Sequence, residues 1–292
     1  MIDSLRTKFK LLQYFLGNIY PIQNPNQLFR GEHVPYYADK ILYYYNYLYC
    51  DPHSIKDGDI IYCDTHKILE FKDLLNLRND LIIFTHNSDF SICDDNSSKE
   101  MSVNVNLFNC YNKWFAQNSY SKNEKVFPIP IGFENKKWEK KFGPKTIYIE
   151  HLSNSKIVPK SLVYFNCNLN TNLKERKVCY DFSLKSNYVN VDHSNLLYSN
   201  YLLKIKQHKF TMSPRGNGLD CHRTWEILKM KRIPILKREG QLEKLYASMP
   251  VLFVDDWVDL DYINLDQLYQ SYDFTNQDYL RKSYWFKMFS TL

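Results

Sequence analysis

Residues 210–226, Phe210-Thr-Met-Ser-Pro-Arg-Gly-Asn-Gly-Leu-Asp-Cys-His-Arg-Thr-Trp-Glu226, pass from an apolar strand pattern through a glycine-broken loop into the start of a helix. A strand, a loop and a helix N-terminus in one run make an anion site. Gly216 and Gly218 permit positive φ and let backbone N–H groups approach a ligand, and the dipole and free N–H groups of the following helix favour a diphosphate. Arg215 adds a delocalised charge whose fork geometry suits phosphate oxygens. Asp220 is expected as N-cap or first-turn residue, closing the helix start. On that helix His222, Glu226 and Lys229 fall at i, i+4 and i+7, hence on one face, while Trp225 and Leu228 turn to the core. His222 then lies near the phosphate end, Arg223 reaches the phosphates, and Glu226 can accept two hydrogen bonds from the vicinal hydroxyls of a ribose. A glycine pair with Arg and Glu in isolation is more simply a capped turn with a surface ion pair.

Outward from this stretch, strand and helix patterns alternate. Downstream come a strand at Ile233 to Leu236, a short helix at Leu242 to Ala247 and a strand at Val251 to Val254; upstream lie strands at Leu162 to Cys167, Tyr188 to Val191 and Lys209 to Ser213, separated by helices. Periodicity fades between Lys141 and Lys160, where Gly143, Pro144 and Pro159 interrupt it, and the boundary between two domains is placed there. Before it, Asp59 to Cys63 and Leu81 to Phe84 read as strands around a helical pattern, followed by a helix over Tyr111 to Asn118 and a strand at Val126 to Ile131. Such alternation predicts parallel sheets with helices on both faces and a two-lobed cleft enzyme. Residues 1–150 form the first domain and 151–275 the second, with a C-terminal helix over 276–292 packing back on the first.

The chain of 292 residues has a formal net charge of +6, compatible with a phosphate-bearing ligand and far from the dense basic stripe of a nucleic-acid binder. Its 7 cysteines include no CxxC pair, which predicts free thiols in a reducing compartment. The apolar stretch 11–22 is broken by Gln13, Gly17, Asn18 and Pro21, too short for a membrane span. A soluble, cytoplasmic protein is expected.

The run SPRGNGLDCHRTWEILKMKRIPIL, followed by a short helix and PVLFVDDW, resembles the donor-binding half of the exostosin-like glycosyltransferases, family 47. The resemblance covers Phe210 to Trp257; Phe165-Asn166-Cys167, with Glu175-Arg176 behind it, is similar to the first strand and loop of that domain in viral and bacterial relatives. Trp114-Phe-Ala-Gln-Asn118 and Pro128-Ile-Pro-Ile-Gly132 resemble the N-terminal half less specifically. The resemblance implies a GT-B fold of two Rossmann-like domains facing each other across a cleft. It also implies a nucleoside-diphosphate sugar donor, inversion at the anomeric carbon and no obligatory metal or other cofactor. The small viral xylosyltransferases are the nearest type, so a UDP-sugar, UDP-xylose among them, and a glycan or glycoprotein acceptor are expected. The donor set is then Arg176, Ser213, Arg215, Gly216, Asn217, Gly218, His222, Arg223 and Glu226. A GDP-sugar enzyme such as a fucosyltransferase, or an inactive glycan-binding protein, is the alternative.

Inverting transfer needs a base for the acceptor hydroxyl. Asp89, which follows the strand at 81–84, is the first candidate, with His86, Asp64 and His66 as alternatives; an Asx turn would also account for Asp89. Trp114, Gln117 and Asn118, placed on one helical face, are candidates to hold the acceptor. The tyrosines within 43–49 can stack on sugar faces or belong to a core helix. The pair Asp255-Asp256 points its carboxylates to opposite sides of an extended chain and is read as structural rather than metal-binding.

Overall fold

The computed structural model describes residues 27–95, 101–192 and 196–292, and the stretch 11–22 lies outside them. Strands β1 (Lys40–Tyr44) and β2 (Tyr47–Leu48) form a hairpin, and β3 (Ile60–Asp64) and β4 (Leu81–His86) follow. β5 (Ser91–Cys93) and β6 (Ser102–Asn104) pair only with each other, and β7 (Tyr111–Ala116) and β8 (Val126–Pro128) complete a six-stranded sheet of order β2-β1-β3-β4-β7-β8. Every ladder in it is parallel except the hairpin. Period-2 alternation sends Ile61, Cys63, Ile83 and Trp114 into one core cluster and Tyr62, Phe84 and Phe115 into another. Because β3, β4, β7 and β8 add in chain order, right-handed crossovers place their connections on one face. The other face is covered by the C-terminal helix Lys282–Thr291, whose Phe289 ring lies 5.1 Å from Phe84 and 5.3 Å from Phe115.

Helix α1 (Lys145–Ser153) leads into the second half. There β9 (Ser161–Phe165), α2 (Leu173–Lys185), β10 (Val189–Val191), α3 (Tyr198–Gln207), β11 (His208–Met212) and α4 (His222–Lys229) alternate, before β12 (Ile233–Lys237) and β13 (Leu252–Val254). The five strands form a fully parallel sheet of order β10-β9-β11-β12-β13. The order reverses between β9 and β11, so the loops leaving these two strands diverge and open a crevice at their carboxyl ends. Trp225, Leu228 and Trp285 share one core cluster with Tyr62, Phe84 and Phe115, which makes the apolar interior continuous between the two halves.

Three expectations are corrected. Tyr111 to Asn118 is not a helix: β7 lies between β4 and β8, and a run such as Trp114-Phe-Ala, buried on both faces of a parallel sheet, is apolar without a break and mimics a buried helix. The tyrosines at 43–49 form the β1–β2 hairpin, whose turn residues Tyr45 and Asn46 take φ of 47° and 67°, as a two-residue hairpin loop of primed type requires. Helix α4 starts at His222 with Cys221 as its N-cap, so Asp220 lies one residue before the cap and is neither its N-cap nor in its first turn.

Candidate functional site

Two cavities lie at the carboxyl ends of the sheets. The first, of about 300 Å³, is bounded by Asp64, His66, Asn87, Asp89, Gln117 and Lys137 among others. The second, of about 750 Å³, opens at the strand-order reversal between Asn166 and Asn168 after β9 and Arg223 and Glu226 on α4. His222 borders both. Its Nδ1 lies 2.7 Å from the Gly132 carbonyl, to which it donates, so the neutral ring keeps its lone pair on Nε2. Burial lowers the His222 pKa and favours that neutral form.

In the first cavity the four candidate bases come together but are not equivalent. Asp64 is only 2% exposed, at the end of β3. Its Oδ1 accepts from the Tyr62 hydroxyl at 2.8 Å and its Oδ2 from the Tyr45 N–H at 2.9 Å. Burial pushes its pKa up to about 7, outweighing those hydrogen bonds and the nearby Lys137 charge, which act the other way. This is the range a general base needs near neutrality. His86 is excluded by its bonding: Nε2 donates to the Pro130 carbonyl at 2.8 Å and Nδ1 accepts from Asn87 N–H at 2.7 Å. Burial also drives its pKa down to about 4, so both nitrogens are committed. His66 sits at the rim, its ring 6.2 Å edge-on from Tyr43. Asp89 is exposed, and its Oδ2 accepts from Asn217 Nδ2 at 3.3 Å. Of the two carboxylates, Asp64 is enclosed and has its proton affinity raised by burial, while Asp89 is exposed.

Among the acceptor candidates, Gln117 borders the first cavity and takes the Asn87 N–H on Oε1 at 3.0 Å. Trp114 does not: it is fully buried inside the sheet, its indole N–H bonded to Thr85 Oγ1 at 2.9 Å. Asn118 is a tether, since its Oδ1 accepts from Leu219 N–H at 3.0 Å and Asp220 N–H at 3.1 Å. Instead Lys137, whose Nζ stands 3.2 Å from the Tyr45 ring centroid, and Trp138 form one wall of this cavity.

Of the donor candidates, His222, Arg223 and Glu226 border the larger cavity. Glu226 is buried and accepts from the hydroxyls of Tyr198 at 2.6 Å and Tyr201 at 3.2 Å, and burial raises its pKa. Arg223 Nη1 is buried without a hydrogen-bond partner. The glycine loop itself does not form the expected cradle. Neither Gly216 nor Gly218 has positive φ, and the loop N–H groups of Gly216, Leu219, Asp220 and Cys221 are taken by Cys221 Sγ, Asn118 and Asp220. Arg215 stands between carboxylates, 3.1 Å from Glu239 and 4.0 Å from Glu175, with its buried Nε making no aligned hydrogen bond, and lines a separate pocket with Ser213. Ser213 Oγ is buried against Thr224 Oγ1 at 3.0 Å. Arg176 is spent on carbonyls, with Nε 3.0 Å from Arg215 O and Nη1 2.6 Å from Asn168 O, stapling the loops after β9 and β11 together. Asn217 contacts Asp89, and Gly218 packs on Asn118.

Tyr198, Tyr201, Glu134 and Lys145 also border the larger cavity. The tyrosines' spacing on α3, one turn apart, is the only sequence signal that points to them. Among the described residues no group of His, Cys, Asp and Glu is arranged to hold a metal ion; Asp255 pairs with Arg238, and Asp256 caps the 3₁₀ turn Trp257–Tyr262. Nor is any described helix long and apolar enough to cross a membrane. In comparison with known proteins, no family model matches the chain and no curated protein matches it.

Proposed function

We propose that the protein is an inverting, GT-B-type glycosyltransferase that moves a sugar from a UDP-sugar to a hydroxyl of a glycan acceptor. One observation carries the reading: His222 joins two cavities of complementary chemistry, one with a buried carboxylate titrating near neutrality, the other with a partly unsatisfied guanidinium and a carboxylate one turn apart. In the larger cavity Glu226 takes the ribose hydroxyls and Arg223 the diphosphate, at the reversal of strand order where nucleotides bind in open parallel sheets. The acceptor enters the smaller one. Its hydroxyl oxygen bonds to the anomeric carbon as its proton passes to Asp64; the bond from that carbon to the phosphate oxygen breaks, and the electron pair leaves with UDP. Attack opposite to the leaving group inverts the centre. All seven cysteines are free thiols, which suits work in a reducing compartment such as the cytosol.

Thermal denaturation with UDP and GDP, followed by hydrolysis assays with a panel of UDP-sugars, tests this. UDP is expected to raise the midpoint and one UDP-sugar to be turned over. Stabilisation by GDP alone transfers the reading to a GDP-sugar enzyme, and no response to either nucleotide ends it.

A further inference from the structure

The nucleotide-sugar reading of the larger cavity leaves one of its cations without a role. Lys145, at the start of α1, comes from outside the strand-loop-helix stretch that supplies Arg223 and Glu226. Its Nζ stands 5.1 Å from the Tyr198 ring centroid and 2.9 Å from Glu134 Oε2, and both Lys145 and Glu134 border the cavity. Glu134 Oε2 is buried, and despite the short contact with the ammonium it makes no hydrogen bond of normal geometry. Arg223 Nη1, on the same cavity, is a buried donor with no acceptor. A buried polar atom left without a partner is costly, and such atoms are exceptions that call for a reason. Here, among the described residues, one guanidinium nitrogen and one carboxylate oxygen are buried without hydrogen bonds, and Lys145 has, besides the Tyr198 ring, only that carboxylate's misaligned contact, around a space of about 750 Å³. An oxygen-rich dianion between Lys145 and Arg223 satisfies both cations, and it frees Glu134 to turn to water.

We infer that Lys145 and Arg223 form a two-cation clamp for the donor diphosphate, and that Glu134 is an intramolecular competitor which the diphosphate displaces from Lys145. This rests on the nucleotide reading of the cavity and adds to it a residue from the N-terminal side of β9 and a carboxylate that weakens binding.

Titration calorimetry of UDP and of uridine into wild type, Lys145→Met, Lys145→Arg and Glu134→Gln tests the clamp. Lys145→Met should weaken UDP about tenfold, the value of one charge-assisted hydrogen bond, with Lys145→Arg recovering most of the loss. Glu134→Gln should tighten UDP about two- to fivefold, as expected from removing a partly exposed ion pair. Uridine, which lacks the phosphates, should bind all four proteins alike. If wild type binds UDP but Glu134→Gln binds it no more tightly, or Lys145→Met binds it as well as wild type, the clamp is overturned while the nucleotide reading stands. If wild type binds no nucleoside diphosphate, both fall.

Discussion

Asn118 and Gly218 lie so close that a Cβ placed on Gly218 would stand 2.7 Å from the Asn118 amide nitrogen. The contact ties the end of β7 to the loop that precedes α4, because the same side chain accepts two backbone hydrogen bonds from Leu219 and Asp220 and donates to the Ser88 carbonyl. Asp220 continues the tether: its carboxylate accepts from Ile131 N–H at 2.8 Å and from the Trp225 indole at 2.9 Å. Buried and half-buried hydrogen bonds thus tie the loops beside the two cavities together. Asn118→Ala should lower stability by about 2 kcal/mol or more, since it leaves two buried N–H groups unsatisfied. Denaturant midpoints measure this. Asn118→Asp, which keeps the acceptor oxygen, should lose less, and an alanine variant as stable as wild type would remove the tether.

In the proposed reaction one proton, on the Asp64 carboxyl, would link transfer to stability. Its pKa is about 7 in the folded protein against an ordinary value of 3.8. A raised native pKa means that the stability contributed by the protonated form is complete below about pH 4 and is lost as pH rises through about 7. Asp64→Asn should thus denature at a higher temperature than wild type at pH 8, with the gap closing towards pH 4. Transfer activity of the wild type should rise as pH passes through about 7, and the asparagine variant should lose it by a factor on the order of 100 or more. A variant that transfers sugar as fast as wild type would leave Asp64 without the role of base.

The alternation of strands was legible because short Ile- and Val-rich runs bounded by Gly, Pro and Asp rarely fit anything else, and the second sheet follows that reading closely. Trp114 was misplaced for the opposite reason: a strand buried on both faces carries no alternation to detect. Of the α4 face read from helical periodicity, His222 and Glu226 border the larger cavity, whereas Lys229 pairs with Glu150 and Arg223, off that spacing, borders the cavity as well. The fate of Arg215 does not, since Glu175 and Glu239, distant in sequence, decide where its guanidinium goes. Asp64 was visible as a carboxylate at a strand end, but what distinguishes it from Asp89 is burial, which only the packed fold supplies.

Arg215 accordingly yields a prediction opposite to the one its sequence context suggests. Arg215→Ala should leave the affinity for UDP within about twofold of wild type, because the side chain lies in a separate pocket between two carboxylates. Arg223→Ala should weaken UDP by about tenfold or more, the loss of a charge-assisted contact. Parallel titrations of the two variants decide it: equal losses would put the phosphate back on the glycine loop.

Glu226 offers the sharpest test of the proposed nucleotide contact. Its two oxygens already accept from Tyr198 and Tyr201, which fix the carboxylate in place, and a carboxylate has further lone pairs for the ribose. Glu226→Gln preserves shape while removing the charge that strengthens those bonds, so UDP should bind about tenfold more weakly. The loss should depend on the sugar hydroxyl. For 2′-deoxy-UDP, wild type should already be weakened, and the Glu226→Gln substitution should add little, because the contact it removes is no longer made. A double comparison of two proteins and two nucleotides isolates that coupling from any general loosening of the pocket. Equal penalties for Glu226→Gln with both nucleotides would show that the carboxylate supports the cavity wall through its tyrosines and does not touch the ribose.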